Sequence, residues 1–295
     1  MRVTGAPAEH AAAIRAARIA AGLSVRKLAS LINVSAATIS AIENARTGVN
    51  VTRLVEIAAA LHISPSQLLG GDSNLPARKP DANSPVTTGQ FGADWRQFPA
   101  LNLDPVLAGA IRCFVETGYH GTTMRTLAAS IGVSVPTIYH HYADKQQLLT
   151  RILDIGLSDL QWRIDAARSQ ATTSVGEVAL IVEVLTLFHI HRRDIAFIGA
   201  SEMRGLERAN RPRITGTRDQ LQHALDDAID RAIEDGSASH RQPRVAGRAI
   251  ATMCTSLPQW YRLGGPTPPD QLAKSYVEFA FSMLGVTDGA AALIV

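Results

Sequence analysis

The sequence GTTMRTLAASIGVSVPTIYHHYADKQQLL, residues 121–149, predicts two short helices joined by a tight turn. Threonines at its start can cap a helix that runs to about Ile131, because a hydroxyl accepts a bond from an unpaired backbone N–H of the first turn. Gly132 supplies the left-handed conformation of a sharp turn. Ser134 then caps a second helix over residues 135–142. The stretch predicts a helix-turn-helix whose second helix suits the major groove of DNA.

The side chains of this unit divide into an inner and an outer set. Helical spacing places the inner set where it can seal the two helices against each other. This inner set is Leu127, Ala128, Ile131, Val133 and Ile138. The outer set of the second helix can touch DNA, and it is Val135, Pro136, Thr137, Tyr139 and His140. For Tyr139 and His140 the alternative is an ordinary pair of aromatic rings on a helix surface.

The motifs LAASIGVS and TIYHHY, followed by DKQQLL, resemble the TetR family of one-component bacterial repressors from roughly Asp104 to Leu153. The resemblance implies an all-helical dimer whose larger C-terminal domain binds a small ligand. Carried onto this chain, it implies that Val135, Pro136 and Thr137 face base edges. The implied phosphate contacts are Thr123, Tyr139, His140 and Lys145. Lys145 opens the helix that links this head to the rest of the chain, so the helix N-terminus would support its phosphate contact.

The composition favours two or more soluble globular domains. The chain has 295 residues, of which 46% are hydrophobic and 19% charged,. Lys and Arg outnumber Asp and Glu by four in residues 1–150, so the positive excess lies with the predicted DNA-binding half,. The cysteines, Cys113 and Cys254, predict buried thiols without a disulfide framework,. No signal peptide or membrane-spanning run is apparent, so we expect a cytoplasmic protein with no membrane partner.

Residues 10–72 repeat the helix-turn-helix pattern. Ser24 and Ser35 can each cap a short helix, and Asn33 can take the left-handed turn between them. A further helix is predicted from Thr52, and another turn over residues 63–69. The motif LA..I.VS..TI recurs in the two regions at an offset of 99 residues. This segment resembles the Cro and lambda-repressor type of DNA-binding domain, the XRE family.

The XRE resemblance implies a second set of DNA contacts. Val25 and Ala36 stand where many relatives have glutamine, which weakens direct readout because alanine can touch only a thymine methyl group. Base contacts are then expected from Ala37, Thr38, Ser40 and Asn44. Phosphate contacts are expected from Arg26, Lys27 and Arg46,. The alternative is a packing or protein-interaction module that does not bind DNA.

The domain order predicted from these patterns is an all-α chain. It has an XRE-like domain (10–72), a linker (73–99), a TetR-type head (100–150) and a ligand-binding and dimerisation domain (151–290). The linker is rich in Pro, Gly, Ser and Asn, but its aromatic residues leave open whether its second half docks on a domain or stays exposed. They are Phe91, Trp95 and Phe98.

The C-terminal part shows helical periodicity throughout. Helices are expected over about 157–169, 175–191, 194–207, 214–234, 244–263 and 269–284,. Small residues in the helix from Arg244 permit close helix contact. By the TetR resemblance, the last two helices pair with their mates in a homodimer.

The chain lacks recognisable catalytic and cofactor-binding motifs. We find no nucleotide-binding glycine loop, nucleophile elbow or thiol-metal spacing, so we expect neither an enzyme nor a cofactor. His189 and His191 are two residues apart in a predicted helix and point about 200° apart, which is unsuitable for a shared metal.

The stretch LFHIHRRDIAFIGASEMRGLE, residues 187–207, predicts a wall of a ligand pocket. Apolar lining is expected from Phe188, Phe197 and Met203, and Arg192 and Arg204 are candidates for an anionic group. The alternative is ordinary core with solvated arginines. PQWYRLGGPTPPDQLAKSY resembles the ending of TetR repressors that sense acyl-coenzyme A thioesters, which implies a long apolar tunnel with arginines at its mouth. Its candidate ligand residues are Trp260 and Arg262, unless the aromatic pair Trp260 and Tyr261 belongs to the dimer interface.

These patterns predict a ligand-responsive repressor that binds double-stranded operator DNA and is released by a bulky apolar effector such as an acyl-CoA thioester. Two alternatives remain open. The effector can instead be a neutral aromatic drug, or the N-terminal domain can bind a protein partner instead of DNA.

Overall fold

The computed structural model describes residues 7–21, 23–61 and 91–286. Every regular element assigned within these ranges beyond an isolated bridge residue is helical, which confirms the all-α prediction. The chain divides into two compact units, and each is described by itself. One unit comprises Met1–Ala82 with Met124–Asp144, and the other comprises Asn83–Thr123 with Lys145–Val295.

Four helices form the N-terminal domain: α1 (Pro7–Ala20), α2 (Val25–Leu31), α3 (Ala36–Glu43) and α4 (Val51–Ala60). Helix α4 begins one residue before the predicted Thr52, because the Asn50 side chain caps it by accepting a bond from Arg53 N at 2.8 Å,. The domain core is fully buried and includes Ile14, Leu28, Ile39 and Ile57. The predicted turn over residues 63–69 lies outside the described residues.

The Arg18 guanidinium and the Glu43 carboxylate form a buried pair in this domain. Arg18 Nε lies 2.5 Å from Glu43 Oε1, and Arg18 Nη2 lies 2.8 Å from Oε2. Arg18 Nη1 also donates to the Leu23 carbonyl at 2.7 Å. This bidentate geometry ties the end of α1 to the end of α3, the helix predicted to read bases.

Three further helices carry the central motif: α5 (Pro105–Gly121), α6 (Met124–Ile131) and α7 (Val135–His141). Asp104 caps α5 by accepting from Val106 N at 3.0 Å,. The helical path of α5 breaks at Gly118, where φ is +74°.

The two turns of the 99-residue repeat have the same geometry. Asn33 and Gly132 both have positive φ, 53° and 71°, as predicted for the left-handed turn. Ser35 and Ser134 both cap the following helix, with Thr38 N and Thr137 N at 3.1 and 3.3 Å. The sequence repeat is thus a repeat of one hydrogen-bonded turn.

The remaining helices are α8 (Lys145–Arg168), α9 (Ser174–His191), α10 (Arg193–Ser201), α11 (Arg211–Glu234), α12 (Pro243–Thr255), α13 (Leu257–Trp260) and α14 (Pro269–Leu284).

Three of the predicted boundaries in this region are wrong. Helix α8 is continuous from Lys145 and is not a separate helix from Leu157. The helix expected to reach Glu207 ends at Ser201 and continues as a 3₁₀ turn. The helix expected to reach Leu263 breaks after Thr255 and restarts as α13, because Pro258 cannot donate a bond to the preceding turn,.

Helix α9 is the central element of the C-terminal core. It packs against α8, α11, α12 and α14. By length and composition it could cross a membrane, but 72% of it is buried inside the protein, which is typical of the core helix of a globular domain. Cys254 lies against it, 3.7 Å from the Thr186 hydroxyl, and burial raises the pKa of its thiol to about 12. Both cysteines are free and buried, as predicted.

The second half of the predicted linker docks on the C-terminal core. Phe91 and Trp95 are 0% and 1% exposed, and Phe98 is half-buried. Trp95 belongs to the same buried cluster as the residues of α9. The docked alternative therefore holds for residues 91–98.

Candidate nucleic-acid interface and effector cavity

The reading helix α7 presents most of its predicted outer set to solvent. Pro136, Tyr139 and His140 are exposed, and the exposed fraction of Tyr139 is 52%. Val135 and Thr137 are half-buried, and the Thr137 hydroxyl lies 2.8 Å from Ser134 Oγ. The hydroxyl of Thr137 is thus engaged with the residue that caps the helix.

Lys145, predicted to contact a phosphate, is bonded to backbone carbonyls of the protein. Its ammonium group donates to the carbonyls of Tyr119 and Thr122, at 2.6 and 2.7 Å, and lies 4.2 Å from the Tyr119 ring centroid. Burial lowers the pKa of the Lys145 ammonium. A lysine at the end of a helix satisfies carbonyls that have no partner within the helix, and Lys145 does this for α5. Thr123, also predicted at a phosphate, is exposed.

The predicted DNA face of the N-terminal domain is exposed. The exposed members are Arg26, Lys27, Ala37, Ser40, Asn44 and Arg46. Thr38 is half-buried, and its hydroxyl lies 2.8 Å from Ser35 Oγ. The Asn44 amide donates to the Ser40 carbonyl at 2.8 Å. Alanine and amides that bond their own helix leave little direct base readout on this face, in line with the missing glutamines.

A cavity of about 240 Å³ lies in the C-terminal domain among α8, α9, α10, α11 and α12. Its apolar lining includes Leu153, Gly156, Leu157, Leu160, Leu185, Phe188, Ile195, Ala196, Ile214, Leu221 and Leu225. Its polar lining includes His189, Arg218, Asp219, Gln222, Arg248, Thr252 and Thr255. Such a mixture is typical of a small-molecule site, in which apolar walls bind and a few polar groups orient the ligand.

The polar side of the cavity carries two arginines. Arg218 Nη1 donates to the Gly199 carbonyl at 2.5 Å, and burial lowers the pKa of its guanidinium. Arg248 is exposed and also belongs to an open groove along α12. The charge of Asp219, which also lines the cavity, raises the pKa of Arg218, and the charge of Arg248 lowers it to a smaller extent. This side of the cavity therefore carries two positive charges and one negative charge.

His189 lines the cavity as a neutral imidazole. Burial, with a smaller contribution from the charge of Arg218, lowers its pKa to about 4. Its Nδ1 lies 2.6 Å from the Leu185 carbonyl, so the proton belongs on Nδ1,. His191 is exposed, and no metal-binding cluster of His, Cys, Asp or Glu occurs within the described ranges.

Phe188 is the predicted ligand residue that the structure places in the cavity wall. Arg192 is instead buried, with its Nε 2.7 Å from Asp159 Oδ2, so it holds a carboxylate of the protein. Phe197 lines a separate small cavity of about 80 Å³. Trp260 is 53% exposed because the break before α13 turns it outward. The other predicted ligand residues absent from the cavity lining are Met203, Arg204 and Arg262.

Neither Arg218 nor Arg248 was predicted as a cavity residue, although the sequence pattern around Arg218 indicates a buried position. Ile214, Leu221 and Leu225 form an apolar stripe along α11, and Arg218 occupies the remaining position of the same stripe,. A charge within an apolar stripe indicates a buried or functional site. Arg248 left no comparable signal, because it follows small residues whose packing the sequence does not specify.

These features define a helix-turn-helix regulator that joins DNA-reading helices to a domain with a ligand cavity. Three family models match. Residues 106–152 match the bacterial regulatory proteins of the tetR family, residues 173–284 match the tetracyclin repressor-like C-terminal domain, and residues 14–68 match a helix-turn-helix model. The chain belongs to the TetR family, with an additional XRE-like helix-turn-helix at its N-terminus.

Known regulators match different shares of the chain. The HTH-type transcriptional repressor AcnR of Corynebacterium efficiens is 38% identical over 76 residues, which cover 26% of this chain and 36% of AcnR. The repressor KstR2 of Mycolicibacterium smegmatis is 25% identical over 191 residues, 64% of this chain and 92% of KstR2. The crystal structure of AibR in complex with isovaleryl coenzyme A and operator DNA has a TM-score of 0.55 at 21% identity, covering 62% of this chain and 97% of AibR. The family matches confirm the predicted class of transcriptional regulator, and the likeness to AibR shows a shared fold.

Proposed function

We propose that the protein is a transcriptional repressor that binds its operator as a dimer and leaves it when an acyl-coenzyme A thioester enters the cavity. The observation that carries the proposal is the path of α8. This helix begins at Lys145, just after the reading helix ends at His141, and its residues Leu153, Gly156 and Leu160 line the cavity. A ligand that displaces α8 acts on the helix that leads directly into the DNA head.

The size of the cavity favours a short or branched acyl group. An apolar cavity of about 150 Å³ holds benzene, so about 240 Å³ accommodates on the order of ten non-hydrogen atoms,. Isovaleryl coenzyme A, the ligand of AibR, has an acyl group within this limit. The coenzyme would then lie outside the cavity, where Arg248 is exposed and able to meet its phosphates,.

The dimer is proposed to form on α12 and α14. Val245 and Phe279 are 60% and 53% exposed on these helices, and Ala249 is a small exposed residue of α12. Large apolar side chains in such positions are typical of a helical interface. Two reading helices spaced by about 34–36 Å or a multiple of it would then meet a pseudo-palindromic operator in the cytoplasm.

The test combines selection of bound DNA from a random pool with release of that DNA by candidate ligands. We expect isovaleryl-CoA to release the protein, and a shift from mostly bound to mostly free requires about 10⁴-fold preference for the released state. Free isovalerate should act far less well. The variant Arg248→Gln should weaken binding of the thioester in calorimetry, and Arg262→Gln, outside the cavity, is the matched control.

Two results would contradict the effector class. Equal affinities for the thioester and the free acid would remove the role of the coenzyme. Release by a neutral aromatic drug, with no effect of thioesters, would favour a multidrug sensor instead.

A further inference from the structure

The segment between the two heads is clamped to the effector domain by a buried arginine. We define the strap as residues 91–98. The Arg163 side chain of α8 is 0% exposed, and its guanidinium donates to three strap carbonyls. The acceptors are Trp95 O, Gln97 O at 2.9 Å and Phe91 O at 3.3 Å. Three main-chain bonds from one buried cation fix the path of the strap.

Side chains of the strap reinforce this attachment. The Phe98 ring lies under the Arg163 guanidinium at 3.6 Å and stacks on His191 at 4.6 Å. Trp95 Nε1 donates to Gln170 Oε1 at 3.1 Å. Arg96 forms a bidentate pair with Glu183 of α9, at 2.7 and 2.9 Å. The strap therefore bridges α8 and α9, the two helices whose other faces line the cavity.

One carboxylate connects the clamp to the separation of those helices. Asp159 Oδ1 accepts from Arg163 Nε at 2.8 Å, and Asp159 Oδ2 accepts from Arg192 Nε at 2.7 Å. Arg192 directly follows α9, and Asp159 directly precedes the cavity residue Leu160. A movement of α8 away from the end of α9 must therefore lengthen one of the two bonds to Asp159.

The ion pair between Asp159 and Arg192 leaves one nitrogen of Arg192 without a hydrogen bond among the described residues. Arg192 Nη2 is buried, and within the described residues no acceptor lies in hydrogen-bond range. A buried donor without a partner destabilises the arrangement that holds it, so rearranging the pair loses less favourable energy. The bond between Asp159 and Arg192 is thus the place where separation of the helices is most readily accommodated.

We propose that strap docking and effector binding oppose each other: a ligand that widens the gap between α8 and α9 loosens the clamp, and a docked strap lowers effector affinity. The strap, which follows the N-terminal domain in the chain, then couples the effector state to that domain. This proposal rests on the proposed function, because it assumes that the cavity binds the effector. Thermodynamic linkage requires the coupling to be equal in both directions.

The first test measures docking without a ligand. Hydrogen exchange of the strap amides is compared in the full-length protein, in Phe98→Ala and in Phe197→Ala. Phe197 is a matched control because it is also half-buried but lies beside another cavity. We expect faster exchange at residues 91–98 in Phe98→Ala alone, with thermal unfolding confirming that both variants fold. Unchanged strap exchange in Phe98→Ala would overturn the clamp. Arg96→Gln provides a second, surface variant.

The second test measures the coupling with isovaleryl-CoA as the probe. Calorimetry should show tighter binding to Phe98→Ala than to the wild type, on the order of tenfold, within the 5–150-fold range of typical allosteric coupling. Phe197→Ala should bind like the wild type. Equal affinity in Phe98→Ala and wild type would overturn the coupling while leaving the proposed function intact. Failure of all three proteins to bind would overturn the proposed effector class and the coupling together.

Discussion

His189 makes the effector domain sensitive to acid. Its pKa is about 4 in the folded protein, well below the usual value of 6.5, so folding favours the neutral imidazole. The stabilisation is complete above pH 6.5 and is lost as the pH falls from 6.5 towards 4, because the unfolded state then binds the proton more tightly.

We expect the free energy of unfolding to fall by about 2 kcal/mol from this group between pH 7 and pH 5. Urea unfolding of the wild type and of His189→Gln at both pH values measures this contribution. It is the difference between the pH dependences of the free energy of unfolding of the two proteins. His223→Gln, on an exposed residue of α11, should keep the wild-type dependence. Identical pH dependence in His189→Gln and wild type would rule out a buried neutral His189.

The Lys145 side chain is bonded within the protein. Its bonds to Tyr119 O and Thr122 O indicate a structural role at the junction of α5 and α8. Lys145→Gln should therefore lower the free energy of unfolding by about 2 kcal/mol and leave the salt dependence of DNA binding unchanged. Tyr139→Phe is the comparison on the exposed face. A shallower salt dependence in Lys145→Gln, with unchanged stability, would restore the phosphate contact that the sequence predicted.

Among the helices, the turn units were predictable and the C-terminal site was not. Ser35 and Ser134 cap helices through bonds to residues three positions away, so local sequence specifies both turns. The cavity depends on which faces of α8, α9 and α11 meet, and helical periodicity alone leaves this undetermined. Arg192 shows the difficulty: its predicted anionic partner is real, but it is Asp159 of the same chain and not a ligand.

Helices α8 and α10 approach each other closely at Gly156. A Cβ atom there would lie 2.5 Å from Ile195 Cγ2, so Gly156→Ala forces the helices apart or the isoleucine to move. We expect a loss of about 1–3 kcal/mol in the free energy of unfolding. Ile195→Ala removes Cγ2 and should cost about 2–5 kcal/mol alone.

Denaturant unfolding of the double variant tests this contact. The two costs should not add, because removal of Ile195 Cγ2 leaves room for a Cβ atom at position 156,. Simple additivity of the two single changes would show that the approach at Gly156 is relaxed elsewhere.

For the whole molecule, the docked strap changes how the role of the N-terminal domain is tested. Removing residues 1–97 would delete strap residues that Arg163 binds, so the informative truncation removes residues 1–90. Covalent geometry allows residues 62–90 to span at most about 100 Å, enough for the N-terminal domain to reach DNA that flanks the central operator. Tethering raises the effective concentration of a weak DNA-binding domain and can add 10²-fold or more in affinity.

We expect the 1–90 truncation to give a shorter footprint, weaker binding and a salt slope shallower by about 0.9 log unit for each lost phosphate contact. Arg26→Gln with Arg46→Gln in the full-length chain should reproduce part of the change in slope. An unchanged footprint and slope would favour the protein-interaction alternative for the N-terminal domain.

The reactivity of the two buried cysteines can report local opening of the helices that carry them. A thiol reagent attacks the thiolate, and burial that raises the pKa of Cys254 to about 12 leaves almost none at neutral pH,. Modification must then wait until α12 opens, whereas Cys113 of α5, 8% exposed, reports a different helix. Mass spectrometry of samples alkylated for different times would therefore measure the opening rates of α12 and α5 separately. A single cysteine introduced on the exposed face of α7 would accept a fluorophore within minutes while both native thiols remain unlabelled.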